Sequence, residues 1–560
     1  MVEEIINELG DYKDILIDCS NKYKDKVVFY EKQGKDRVPY SYKDLQCDVF
    51  SLGTMMLEMG LKDKHIAIIG ENSYRWIISY LAIINGVGVA VPLDKELGEK
   101  QLAQLMEKAD ISVVIISKTF LSFIEYFNKN VQGLQRCICI EENSYGYDDI
   151  ESLVRKGKEL MEKGNNSYIK SKVNIDDLNV IMFTSGTTGA NKGVMISQRN
   201  ILSNIIDMVE VFQGYDTVLA VLPFHHAYQN ICGILTTIKL GMTIFINDSL
   251  KHLSKNIKEF KPDAMILVPL FLETMYRTVE VEVKRKKLEG TFKRLIKLSN
   301  ALLKVHIDCR RKFFKDIIDI FGGKLKIIIS GGAFLREDLI RKFQDIGINI
   351  VNGFGITECT PVVSVNFGKN LNSIGKPLSR VEISILNPDK DGIGEILVRG
   401  DHVMLGYYKD NESTEESFVK GWFNTGDLGY IDDDGYLYIT GRKKNLIVLS
   451  NGKNVNPEEL EEYILENITY VKETLVYSTK SKSGSDIIVA SAYISKDYIS
   501  IKGMENVKKD IEDDLRKINC KLPSFKQIQK IYIREEEFEK NTSKKIIRSK
   551  FLEGVDKVGI

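Results

Sequence analysis

Apolar side chains recur at helical spacing over residues 45–59, and the run His65-Ile66-Ala67-Ile68-Ile69 that follows is short and β-rich, ending in Gly70. A helix-like stretch from Trp76 to Ile84 comes next. Apolar runs at Val87–Pro92 and Ser112–Ile116 are then separated by the helical spacing of Gln101–Lys108. The rhythm returns at 218–222, 230–239, 243–246 and 264–268. Strands and helices alternating over short connections predict a parallel sheet with helices on its faces. After residue 325 the pattern turns β-rich, with many glycine turns. Asp434-Gly435 lies between two alternating runs and predicts a hairpin. From about 443 to 560 strands mix with charged helices over a length sufficient for a small separate domain.

Residues 284–316 break the rhythm. Twelve Lys or Arg stand there against three Asp or Glu, with Leu295, Leu298, Leu302, Val305 and Phe313 interleaved. One or two basic amphipathic helices are expected. The favoured reading packs the apolar stripe on the core. The alternative is peripheral contact with an anionic membrane.

Composition narrows the picture. A chain of 560 residues with 43% hydrophobic content exceeds one compact core, so several packed units are expected. Lys plus Arg equals Asp plus Glu at 78 each, which leaves no global field to attract nucleic acid or an acidic membrane surface and leaves only local basic patches to do so. The acidic start MVEEIINELG does not read as a secretory leader, and none is expected. No apolar run approaches the roughly 18 residues that span a bilayer. Ala264–Leu272, interrupted by Pro269, reads as a buried strand and its exit. A cytoplasmic protein is expected, with membrane association left to 284–316. Eight scattered cysteines contain no C-x-x-C pair, so zinc and dithiol chemistry have little support. Alternation puts Cys137 and Cys139 on one face of a strand, where they act as small hydrophobes.

The chemistry concentrates after the strand-like run Val180–Phe183, in Thr184-Ser185-Gly186-Thr187-Thr188-Gly189-Ala190-Asn191-Lys192-Gly193-Val194. Glycines let backbone N–H groups turn toward an anion, four hydroxyls add donors, and Lys192 adds a cation. A polyphosphate suits this set. The spacing is not that of the G-x-x-x-x-G-K-[ST] loop.

The run resembles the phosphate-binding loop of the acyl-adenylate-forming (AMP-binding) superfamily, with Asn191 where the family usually has Pro. Further motifs of that family follow in order. Leu222-Pro223-Phe224-His225-His226-Ala227-Tyr228 resembles the segment whose histidine, here His226, sits at the mouth of the acyl pocket. Ser330-Gly331-Gly332-Ala333 resembles the turn against adenine and the acyl carbonyl. Asn352-Gly353-Phe354-Gly355-Ile356-Thr357-Glu358 follows, with Phe354 for a more usual Tyr that stacks on the purine. By the resemblance Thr357 donates to phosphate and Glu358 helps hold Mg²⁺, a hard cation that takes oxygen ligands. In Trp422-Phe423-Asn424-Thr425-Gly426-Asp427, Asp427 matches the carboxylate that grips the ribose hydroxyls. In Gly441-Arg442-Lys443-Lys444-Asn445, Arg442 matches a ribose or phosphate contact and Lys444 the hinge. Lys540–Arg548 resembles the C-terminal catalytic motif, with Lys545 at the catalytic position and Lys544 where Gly is usual.

The resemblance implies an α/β fold. A large N-terminal domain, 1–441, would hold two α/β subdomains plus a β-barrel-like subdomain. A small mobile α+β domain, 442–560, would follow. It implies ATP-dependent activation of a carboxylic acid to an acyl-adenylate, then transfer to CoA, with ATP, Mg²⁺ and CoA as cofactors. The catalytic set is Lys545, Lys192, His226 and Glu358. The nucleotide set is Thr184, Ser185, Gly186, Thr187, Thr188, Gly189, Gly331, Gly332, Ala333, Asn352, Gly353, Phe354, Gly355, Thr357, Asp427 and Arg442. Gly452 and Lys453 would face CoA.

No Asp occupies the motif at His225-His226, which disfavours an amino-acid substrate. The loop Leu449–Pro457, the run Thr360–Val365 and the 280–320 region resemble bacterial long-chain fatty acyl-CoA synthetases. A medium- or long-chain fatty acid is therefore expected. Two other ligases stay open: one that loads an acyl-carrier protein, and one for an aryl or other non-fatty acid. A non-enzymatic binder of acyl groups or nucleotide is disfavoured, because Lys192, Glu358, Asp427, Arg442 and Lys545 are all present.

Overall fold

The structure is a computed structural model that describes residues 10–34, 36–184, 191–449, 453–480, 486–540 and 546–558. The chain divides into two compact units. The first comprises 1–371, 375–382 and 399–423; the second comprises 372–374, 383–398 and 424–560.

Two sheets build the first unit. The larger has nine strands. Its centre is four adjacent parallel strands, Asn349–Gly355, Ile327–Ser330, Ala264–Leu267 and Thr217–Ala220. They are strands because they are short, Ile- and Val-rich and buried on both faces: Ala264–Leu267 is wholly buried. Helices cover them, and Leu272, Met275, Val279, Leu339 and Phe343 pack into one core with Met265 and Ile328. Beyond Asn349–Gly355 the next strand, Val362–Asn366, runs antiparallel.

The eight-stranded second sheet centres on Lys64–Ile69, flanked in parallel by Gly88–Leu93 and Val113–Ile116. Leu178–Thr184 and Lys192–Ser197 form an antiparallel hairpin that pairs Thr184 with Lys192, and Gly406–Tyr407 pairs along its outer strand. The helix Tyr42–Glu58 begins at a capping box between Ser41 and Asp44. The helix Ile150–Glu162 packs on it so closely that a Cβ on Gly157 would stand 1.8 Å from the Ser51 carbonyl oxygen.

The basic segment forms Glu289–Lys304 and the short helices Arg310–Phe313 and Lys315–Ile320, after a helix ending at Arg285. Its apolar residues do not form one buried stripe. Leu295 and Phe313 pack on the core with Phe292 and Ile296, while Leu298 and Val305 face solvent. At 100° per residue Leu298 and Val305 share a line opposite Phe292 and Ile296.

In the second unit the Asp434-Gly435 turn joins Trp422–Ile431 to Leu437–Arg442, and Gly435 takes φ +82°. A three-stranded sheet, Val471–Lys480, Asp486–Ile494 and Ile528–Arg534, packs against Pro457–Asn467 and Met504–Asn519 through Leu460, Ile464, Ile511 and Leu515. Among the described residues no helix is long and apolar enough to cross a membrane.

Candidate active site

Three of the four parallel strands of the larger sheet deliver motifs at one edge. The segment Leu222–Tyr228 follows Thr217–Ala220, Ser330–Ala333 ends Ile327–Ser330, and Ile356–Glu358 follows Asn349–Gly355. The carboxyl edge of a parallel sheet is where open α/β folds bind ligands, here next to the change from parallel to antiparallel pairing.

At that edge backbones approach closely. A Cβ on Gly331 would lie 3.3 Å from both the Gly353 carbonyl oxygen and the Tyr228 ring. Gly332 takes φ +82°, a conformation that favours glycine, and a Cβ on Gly355 would stand 2.2 Å from the Pro361 carbonyl oxygen. The Ser330 and Tyr228 hydroxyls are both buried and have no hydrogen-bond partner among the described residues. Two orphan hydroxyls at one glycine-lined strand end fit a polar ligand that supplies their partners. Asn352 is buried, Gly353 and Phe354 are half-buried, and Ala333 is exposed.

The histidine segment is clamped from outside. Asn72 donates to the Leu222 carbonyl at 2.9 Å and accepts from the Phe224 N–H at 3.0 Å. Gln229 accepts from the Leu222 N–H, and Asn230 donates to the Phe224 carbonyl. The chain from Tyr228 to Leu235 winds as a π-helix, a form frequent at functional sites. His226 is half-buried, its ring 4.3 Å from that of His225. His225 Nε2 lies 3.7 Å from Asp94 Oδ1. Burial, reinforced by His226 and Lys95, pushes the His225 pKa well below the ordinary histidine value, so this ring is neutral.

One tyrosine links the two sheets of the first unit. The Tyr407 hydroxyl donates to Glu358 Oε1 at 3.1 Å, and Lys192 Nζ stands 4.7 Å over the Tyr407 ring. Glu358 is further fixed by its carbonyl, which accepts from the Met404 N–H. A carboxylate and a cation are thus held by one aromatic ring. Thr357 opens the Thr357–Cys359 turn beside Glu358. A single oriented carboxylate fits Mg²⁺, which typically takes one or two carboxylates together with substrate phosphates and waters. Nothing in the sequence pattern marked Tyr407 or Asn72, because their partners are distant in the chain; Tyr228 stood at the end of its motif without a role of its own.

The second unit carries the remaining described residues. Asp427 and Arg442 face each other across the hairpin, and Arg442 Nε bonds Asp427 Oδ1 at 2.8 Å. Asp427 is buried, and its N–H donates to the Thr425 hydroxyl. Lys444 lies in the turn Lys443–Asn445 with its side chain reaching the surface. Partial loss of water around its ammonium, with the Arg442 charge nearby, lowers its pKa to about 8. Lys453 Nζ lies 4.3 Å over the Phe525 ring. Lys540 pairs antiparallel with Ile546, and Arg548 reaches Glu461 at 2.5 Å. Ser185, Gly186, Thr187, Thr188, Gly189, Gly452 and Lys545 lie outside the described residues. Thr184 and Lys192 pair where the hairpin's two strands meet that undescribed loop.

These strands and side chains define an α/β protein whose sheet edge is built for a polar ligand, with an oriented carboxylate and a cation beside it. The chain belongs to the AMP-binding enzyme family, whose pattern matches residues 18–408, while that of the AMP-binding enzyme C-terminal domain matches 444–557. A chloroplastic long-chain-fatty-acid–acyl-carrier-protein ligase of Arabidopsis thaliana is 27% identical, covering 85% of this chain and 76% of its own. Fatty acyl-CoA synthetase B of Dictyostelium discoideum is 28% identical over 95% and 86%. A long-chain-fatty-acid–CoA ligase of Rattus norvegicus is 29% identical over 90% and 81%. In fold the chain is similar to an anthranilate CoA ligase solved with anthranoyl-AMP, at TM-score 0.77 and 18% identity over 97% of both chains. It is also similar to the Bacillus subtilis o-succinylbenzoate CoA synthetase, at TM-score 0.72 and 20% identity over 96% and 97%.

Proposed function

We propose that this chain activates a medium- or long-chain fatty acid with ATP and passes the acyl group to CoA, releasing AMP and pyrophosphate. The observation that carries the reading is the Lys192–Tyr407–Glu358 assembly, which holds opposite charges beside a strand edge with two orphan hydroxyls. Such a set suits a triphosphate accompanied by a divalent cation, with Lys192 offered to the phosphates and Glu358 to the cation.

In the first half-reaction a carboxylate oxygen of the acid attacks the α-phosphorus of ATP. The bond to pyrophosphate breaks, and an acyl-adenylate forms. Lys192 and Lys545 neutralise charge on the phosphates, and the hydroxyl and backbone donors of Thr184–Gly189 cradle them. Gly331, Gly332, Ala333 and Asn352–Gly355 border adenine, with Phe354 against its face. Thr357 donates to phosphate. Asp427, oriented by Arg442, accepts from the ribose hydroxyls. His226 lines the entry to the acyl pocket. Glu358 would hold Mg²⁺, which would supply further neutralisation of phosphate charge. In the second half-reaction the CoA thiol attacks the acyl carbonyl, the bond to AMP breaks, and AMP leaves. Residues 442–560 act as the mobile domain on the Lys444 hinge, offering Lys545 in the first half and the Gly452–Lys453 loop in the second.

The rat and Dictyostelium relatives support a fatty acid and CoA. The Arabidopsis relative supports a second reading in which a carrier protein accepts the acyl group. The test is product analysis over acids from acetate to oleate plus benzoate, with CoA or acyl-carrier protein as acceptor. AMP and pyrophosphate should appear only with acid present, and fastest with the longer chains. ADP and phosphate would end the reading; a preference for acetate or benzoate would end its fatty-acid part.

A further inference from the structure

Six of the fifteen large apolar side chains exposed among the described residues fall within 281–307: Val281, Leu288, Leu298, Leu303, Val305 and Ile307. Leu298 is 50% exposed and Val305 62%. Single exposed apolar residues need no explanation, but two of these, Leu298 and Val305, lie one above the other on a single face of the helix Glu289–Lys304 and its C-terminal end. The helix Glu289–Lys304 is firmly seated on its other side. Phe292, Leu295 and Ile296 pack on the core, the Phe292 ring meets the Phe314 ring edge-on at 5.4 Å, and Asn300 bonds Asp345 at 2.8 Å. The outward stripe therefore belongs to an anchored helix.

That stripe runs Arg294, Leu298, Ala301, Val305, at i, i+4, i+7 and i+11, with Lys293, Lys297 and Lys304 along its flank. Lys293, Arg294, Lys297 and Lys304 make no ion pair among the described residues. By contrast, Arg285 is held by Glu282 and Arg310 by Asp308. The chain as a whole is neutral, so the excess of nine positive charges over 284–316 is local.

We infer that this face is a docking surface for an anionic lipid bilayer. Leu298 and Val305 enter the boundary between headgroups and acyl chains, and the lysines pair with lipid phosphates. Exposed apolar side chains beside unpaired cations match both components of such a surface. A soluble acidic partner would satisfy the charge and leave the apolar residues unexplained. The inference does not depend on the proposed reaction, since binding is measured without ATP or acid.

The experiment is co-sedimentation of the purified full chain with phosphatidylcholine vesicles, with and without phosphatidylglycerol. The protein pellets with the anionic vesicles and stays in solution with the neutral ones, and salt weakens the binding. Leu298→Asp with Val305→Asp, and separately Lys293→Gln with Lys297→Gln and Lys304→Gln, each lower the bound fraction about tenfold. Because all five side chains face solvent, the melting temperature of both variants stays that of the wild type. Absent binding, equal binding to both vesicle types, or variants that bind like the wild type would overturn the inference. So would light scattering that finds a wild-type dimer abolished by Leu298→Asp with Val305→Asp and no vesicle binding, which would make the face a contact between copies.

Discussion

Tyr407 concentrates what side-chain placement contributes here. Its hydroxyl fixes one oxygen of Glu358, and its ring lies under the Lys192 ammonium. Tyr407→Phe keeps the ring and removes the donor, so Glu358 loses orientation but not charge. The expected result is a roughly tenfold higher Mg²⁺ concentration for half-maximal adenylate formation with little change in affinity for the acid; a Mg²⁺ titration of pyrophosphate release decides it. His402 gives a second residue-scale prediction. Its ring is buried, neither nitrogen has a hydrogen-bond partner among the described residues, and burial lowers its pKa from 6.5 to about 4. The unfolded chain binds that proton near 6.5 and the folded chain near 4. The neutral ring's contribution is therefore complete above the unfolded value and is lost as pH falls through the window between them. The loss amounts to on the order of 3 kcal/mol. Between about pH 7 and about pH 5 the wild-type melting temperature should fall more steeply than that of His402→Leu. Parallel pH profiles would sink the idea. Lys192, Glu358, Asp427 and Arg442 were singled out in the sequence because their motifs are contiguous. Tyr407 was not, since its partners Glu358 and Lys192 come from other elements.

Elements were legible where burial is two-sided or the spacing regular. Val113–Ile116 and Ala264–Leu267 are strands because every side chain is buried. The basic helix was legible as a helix, but the direction of its apolar residues was not. Spacing placed Leu298 with Leu295, whereas the core accepts only the Phe292–Ile296 side. Packing between helices is set in the same way. Gly157→Ala would drive a methyl to 1.8 Å from the Ser51 carbonyl oxygen and push Ile150–Glu162 off Tyr42–Glu58. The expected cost is about 1–3 kcal/mol, visible as a lowered melting temperature. Gly290→Ala, where a Cβ meets nothing within 4 Å, serves as the control and should leave it unchanged or raised.

At the scale of the whole molecule the proposed reaction separates two half-reactions between two parts of the chain. Lys545→Ala should slow acyl-adenylate formation by roughly 10²-fold while sparing thioester formation from a synthetic acyl-adenylate and CoA. Lys444→Pro should do the reverse, because a fixed φ blocks the hinge. Single-turnover kinetics of each half-reaction, with Lys544→Ala as neighbour control, reads both; equal impairment of the two halves by Lys545→Ala would refute the alternation. The sequence by itself determined the alternation of strands and helices, the order of the motifs and the family they resemble. Those features rest on local spacing and on contiguous runs of residues that one stretch of chain carries alone. Only the tertiary structure decided that the histidine, Ser330-Gly331 and Thr357-Glu358 segments share one sheet edge. It alone placed Tyr407 under Lys192, gathered 383–398 into the second unit, and turned Leu298 and Val305 outward. Each of these depends on which distant segments pack together, and burial and pairing between segments far apart in the chain leave no periodic trace along it.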